Sequence, residues 1–109
     1  MTLCTRFFAA IYMTTLISAS AANLDEASLS ITPQGFQPQQ LKLSGQHKTR
    51  LHLRNHTASA AEFESTDLSR EIIVPAHSEV ILYLPPLHPG IYRYFNDFHT
   101  SESGQIRVP

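Results

Sequence analysis

The stretch Val80-Ile81-Leu82-Tyr83-Leu84, then Pro85-Pro86-Leu87-His88-Pro89-Gly90, then Ile91-Tyr92-Arg93-Tyr94-Phe95, decides the fold class. Val80, Leu82 and Leu84 fall on one side of an extended chain and Ile81 and Tyr83 on the other, the two-residue period of a strand. The prolines and glycine between the two runs form a rigid bend, which no helix could cross. Beyond the bend, Tyr92 and Tyr94 share one face while Arg93 and Phe95 share the other. One tyrosine is expected to fill the core, with its hydroxyl on a backbone partner at the rim.

The same pattern extends outward in both directions. Going back along the chain, Ile72 to Val74 is apolar and stops at Pro75, and Ala61 to Glu64 is the next candidate strand. Leu51 and Leu53 alternate about His52 and lead into Asn55. Leu41 and Leu43 flank Lys42 before a Ser44-Gly45-Gln46 turn, and Leu29 and Ile31 alternate within Ser28 to Pro33. Going forward, Gln105 to Val108 closes the series. No helical period runs long enough to matter. Seven to eight short strands at fairly even spacing, separated by turn residues, predict an all-β chain folded as a Greek-key β-sandwich.

The N-terminus reads as a targeting segment. Arg6 supplies a positive start, Phe7 to Ile17 is an apolar run of signal-peptide length, and Ala19-Ser20-Ala21 fits the small-x-small cleavage rule. The run is short for a membrane span, so a retained anchor is the weaker alternative. Residues 1–21 are therefore expected to be removed and 22–109 to form one domain, with export to a bacterial periplasm. The mature part keeps seven basic and nine acidic residues, a balance that argues against nucleic acid or an anionic membrane as partner. The single cysteine, Cys4, leaves with the leader, which excludes a disulfide, a thiolate ligand or a cysteine nucleophile in the mature domain.

Charge is concentrated in Ala61-Glu62-Phe63-Glu64-Ser65-Thr66-Asp67-Leu68-Ser69-Arg70-Glu71, which holds four carboxylates and one arginine. In a strand, Glu62 and Glu64 share a face and Phe63 takes the other. Like charges so close raise each other's pKa unless a cation sits between them. That cation is either the guanidinium of Arg70 or a metal ion. The alternative is a pair of charges on a solvent-facing edge strand, where they discourage aggregation. Asp67 reads as a turn cap. A second polar cluster, Asn96-Asp97-Phe98-His99, would complete an oxygen-rich metal site if it faced the first. His47, His52, His56, His77 and His88 are scattered without metal-ligand spacing, and neither a phosphate loop nor a nucleophile triad motif is present.

The C-terminal run Tyr92-Arg93-Tyr94-Phe95-Asn96-Asp97-Phe98-His99, followed by Thr100-Ser101-Glu102-Ser103 and Gly104 to Val108, resembles the closing strand, ligand loop and last strand of cupredoxins. In that resemblance His99 matches the ligand histidine, Asn96 stands at the cysteine position, the loop has no methionine, and the other copper histidine falls near Glu62. Glu62-Phe63-Glu64-Ser65, Leu68-Ser69-Arg70-Glu71, Leu87-His88-Pro89-Gly90-Ile91-Tyr92 and Asp97-Phe98-His99 look like motifs of small exported cupredoxin-like proteins associated with bacterial iron uptake. They are also similar to the N-terminal domain of some periplasmic iron-binding lipoproteins.

This resemblance implies a copper or iron site with Glu62, Glu64, Asp97 and His99 as ligands, supported by Glu71, Asn96 and Arg70. It also implies an accessory role in ferrous iron uptake, binding, passing or oxidising the metal beside a periplasmic iron-binding protein or an inner-membrane iron permease. A metal-free module docking on such a partner is the alternative. A ferroxidase-like step and a homodimer are left open by the residues themselves.

Overall fold

The computed structural model describes residues 9–14 and 23–109. Nine strands follow one another: β1 (Leu24–Thr32), β2 (Gly35–Gln37), β3 (Gln40–Lys42), β4 (Lys48–Asn55), β5 (Ala61–Ser65), β6 (Arg70–Val74), β7 (Glu79–Leu84), β8 (Gly90–Asn96) and β9 (His99–Val108). One sheet has the order β2-β1-β4-β7 and the other β3-β9-β8-β5-β6. The pairs β1–β4 and β3–β9 are parallel, and every other pairing is antiparallel. No helix occurs among the described residues.

Alternation places the core where the apolar spacing predicts it. Leu29, Ile31, Leu51, Leu53 and Leu84 line the inner face of the first sheet, and Phe63, Val74, Tyr94 and Ile106 that of the second. At the centre the ring of Tyr94 lies 4.9 Å from those of both Phe36 and Phe63. These edge and tilted contacts add to the burial energy of the rings. The two roles expected of one tyrosine are divided between two. Tyr94 fills the core with its hydroxyl unpartnered, whereas Tyr92 donates its hydroxyl to the His88 carbonyl at 2.7 Å. Gly104 sits opposite Tyr94 because a Cβ there would meet the tyrosine hydroxyl at 2.6 Å and the Gln39 carbonyl at 2.8 Å.

Two features depart from the strand series expected above. β2 is a three-residue strand added to the end of β1, and its single apolar residue, Phe36, shows no period. β9 starts at His99, so the expected loop Thr100–Ser103 is strand, paired with β8 across a register shift at Phe95/Asn96. Its first half runs beyond the core, and backbone pairing holds it without an apolar face. Of the expected leader, residues 9–14 carry no helix or strand, while Cys4 and the Ala19-Ser20-Ala21 step lie outside the described residues.

Candidate metal centre

β5 lies between β8 and β6, so it is an interior strand, and the edge-strand explanation of its glutamates does not apply. Phe63 points into the core; Glu62 and Glu64 point out of the second sheet, opposite Ile73 and Glu71 on β6. On the other flank Glu64 pairs with Phe95 of β8.

Asp97 is brought to the same face by the β8–β9 hairpin. The Asn96–His99 pair closes that hairpin and leaves Asp97 and Phe98 as its tip. Asn96 holds the tip against β5: its Oδ1 accepts the backbone N–H of Glu62 at 3.0 Å and that of Phe98 at 3.1 Å. The Asp97 N–H donates to the Glu62 carbonyl at 2.9 Å. Carboxylate oxygens of Glu62, Glu64 and Asp97 consequently lie within 4.8 Å of one another.

The electrostatics of this group are unfavourable as it stands. Glu62 is only 7% exposed, and among the described residues no ion pair within 4.0 Å reaches Glu62, Glu64 or Asp97. The neighbouring Glu71 carboxyl, then burial, then the charges of Glu71, Asp97 and Glu64 push the Glu62 pKa up to about 7. Glu64 is raised as well, chiefly by burial and then by the Asp97 and Glu71 charges. Each cause penalises the ionised form, and a bound cation would reverse that penalty.

The remaining expected site residues fall into three positions. Glu71 stands at the rim, opposite Glu64. Arg70 pairs with Ser65, whose side chain is buried inward, and it makes no ion pair among the described residues. The strand register therefore keeps Arg70 from serving as the neutralising cation of Glu64. Asp67 caps a neighbouring strand and not its own turn, accepting the Arg93 N–H at 2.8 Å.

His99 does not join the three carboxylates. It stands on the Asn96 side of the hairpin, with Nδ1 2.8 Å from Oε1 of Glu102. Asn96 donates from Nδ2 to the other oxygen of Glu102 at 3.1 Å. Glu102 is the residue the sequence reading passed over. His99 and Asn96 hold its pKa below the usual carboxylate range despite its burial. The three-residue spacing from His99 to Glu102 was the available signal, hidden by reading 100–103 as a loop.

The sequence matches the family model of the cupredoxin-like domain over residues 6–108. It is 39% identical over 77 residues to an uncharacterized protein of Rickettsia prowazekii (strain Madrid E), and the match covers 71% of this chain. The chain spans 62% of that relative's length. Among solved structures it superposes on auracyanin A, a "blue" copper protein from Chloroflexus aurantiacus, with a TM-score of 0.66 and 11% identity. That match covers 80% of this chain and 100% of auracyanin A. It also resembles the metal-binding domain of the Cu(I)-exporting P-type ATPase CopA of Streptococcus pneumoniae D39, solved with Cu(I). There the TM-score is 0.63 at 13% identity, covering 81% of this chain and 97% of that domain. At these identities the likeness to the solved structures is one of fold.

Proposed function

The chain belongs to the cupredoxin-like domain family, and we propose that it binds copper or iron through Glu62, Glu64 and Asp97, with Glu71 at the rim. In this reading it is a periplasmic accessory of bacterial iron uptake that passes the ion to an iron-binding protein or an inner-membrane permease. One observation carries the metal-binding part: three carboxylates converge within 4.8 Å, one of them 7% exposed, with no protein cation among them. Removing a carboxylate from water beside others of its kind is costly unless a cation joins them.

The donor set selects among ions. An all-carboxylate set is hard: it accommodates Fe(III) and Cu(II) as well as Mn, Mg or Ca, whereas Cu(I) prefers sulfur. Cys4, Met1 and Met13 are the only sulfur residues, and all precede β1. At the position that the cupredoxin resemblance gives to cysteine, Asn96 uses both its amide oxygen and its amide nitrogen in hydrogen bonds. Binding and delivery fit an oxygen site better than the rapid electron transfer of a thiolate-bound copper. Since Glu62 titrates near neutrality, loading an ion releases its proton. The role in iron uptake and the periplasmic setting rest on the motif resemblance and the leader-like N-terminus.

A second reading is supported by Ile73 and Phe98, each 53% exposed, the first opposite Glu62 and the second following Asp97. An acidic patch flanked by apolar side chains also suits a metal-free docking face. Calorimetry with Cu(II), Fe(II) and Zn(II) separates the two. Binding heat in the wild type that disappears in Glu62→Gln/Glu64→Gln supports the metal site. No heat with any of the three ions leaves the docking module.

A further inference from the structure

The outer face of the second sheet is divided by charge. Its β5–β6 half, with Asp97, presents the carboxylates. On the β3-β9-β8 half, Gln40, Gln105 and Arg93 form one cross-strand row, and Lys42, Arg107 and Ile91 form the next. Their neighbours Leu41, Ile106 and Tyr92 turn inward. Arg93, Lys42 and Arg107 take part in no ion pair within 4.0 Å among the described residues. A groove of about 630 Å³ crosses this half, lined by Gln40, Gln105, Arg93, Phe95 and Ser103. Its link to the carboxylate half is Phe95, which lines the groove and is the direct strand partner of Glu64.

We propose that this groove is the anion subsite of the metal centre, taking a small multidentate carboxylate that binds the guanidinium of Arg93 and completes the coordination of the ion at Glu62, Glu64 and Asp97. The inference rests on the metal-binding reading above. Three monodentate side-chain carboxylates leave positions open on a tetragonal Cu(II) or an octahedral ion. They also outweigh the charge of a divalent ion, so a further anionic ligand is held only where another cation stands close by. Arg93 stands two residues before Phe95 on β8, on a diagonal cross-strand path from Glu64 of about 7–8 Å. The arginine side chain and a dicarboxylate together span that separation. Its planar fork binds a carboxylate in two places, which a lysine cannot do, and the amides of Gln40 and Gln105 supply further donors.

One unpartnered buried group beside the groove points to a ligand independently of the surface charges. In the groove, the buried hydroxyl of Tyr94 lacks a partner, and Gly104 and Gln39, which flank it, line the same space.

The experiment uses the mature chain, Cu(II) as the ion and oxalate as the probe, in a non-coordinating buffer. After correction for Cu(II) sequestered by oxalate in solution, oxalate should tighten Cu(II) binding by about tenfold, within the usual range of coupling between two sites. In Arg93→Gln the enhancement should vanish while Cu(II) alone still binds, and ¹³C-labelled oxalate should show hyperfine coupling to copper in the wild type only. Simple competition, equal in both proteins and without ¹³C coupling, overturns the subsite but leaves the metal centre standing. Absence of Cu(II) binding in both overturns the two together.

Discussion

Replacing Asn96 by alanine removes the acceptor of two backbone N–H groups and the donor to Glu102 in one step. The Glu62 N–H is buried, so leaving it unpaired costs about 1–3 kcal/mol. The Phe98 N–H and the Glu102 carboxylate are partly buried and can turn to water, so each adds at most about 0.5–1.5 kcal/mol. The expected loss is therefore about 2–6 kcal/mol, and at about 4–8 °C per kcal/mol the melting temperature falls by at least about 8 °C. Urea titration of the metal-free protein measures it. Asn96→Asp keeps both acceptor sites but sets a second carboxylate against Glu102, so it should lie between alanine and wild type. Asn96→Cys, the change needed to restore a thiolate copper ligand, should be destabilising for the same reason as alanine. A loss below about 0.5 kcal/mol in Asn96→Ala, the scale of an ordinary surface change, would refute the idea that this side chain braces Asp97 against β5.

Gly104→Ala forces a methyl onto the Tyr94 hydroxyl and the Gln39 carbonyl, and overpacking of this kind costs about 1–3 kcal/mol; Tyr94→Phe in the same chain should recover part of that loss in thermal melts. Glu62→Gln should stabilise the metal-free protein at pH 8 and have little effect at pH 4. The raised carboxyl favours the fold below the unfolded pKa near 4.5, and that advantage is lost as pH rises through about 7. On the first sheet, His52 lies 2.6 Å from Glu79 and 2.7 Å from Glu26, with Arg50 and Arg54 behind those carboxylates. Its pKa is raised by Glu79 and Glu26, and that of Glu79 is lowered by His52. The stability due to His52 is complete below the unfolded histidine value near 6.5 and fades as pH climbs through the higher folded one. The part due to Glu79 fades as pH drops through its lowered value. Melting profiles of His52→Gln and wild type should therefore diverge most between about pH 4.5 and 6.5 and converge at higher pH.

The sandwich was legible because its two inner faces are written in period two. Val80, Leu82 and Leu84 point inward as their spacing requires, and Phe63 separates from Glu62 and Glu64 in the same way. β2 was not legible because its one core residue, Phe36, leaves no period in a three-residue strand, and the first half of β9 because backbone pairing holds it without an apolar face. The same limit applies to the site. That Asp97 and His99 leave a hairpin tip in different directions depends on where the turn closes, at Asn96–His99, and two intervening residues carry no mark of that. The failure of Arg70 to reach Glu64 is likewise a matter of register with Ser65. Glu102 was missed because it lies in a strand read as loop.

Electron paramagnetic resonance of the Cu(II)-loaded protein distinguishes the carboxylate cluster from the histidine end of the hairpin most directly. With Glu62, Glu64 and Asp97 as ligands, the spectrum should be that of an all-oxygen site without strong nitrogen coupling. It should be unchanged in His99→Ala and abolished in Glu62→Gln/Glu64→Gln. Directly coordinated nitrogen that disappears in His99→Ala, with the double glutamine variant still binding copper, would contradict the assignment of the ion to the outer face of the second sheet.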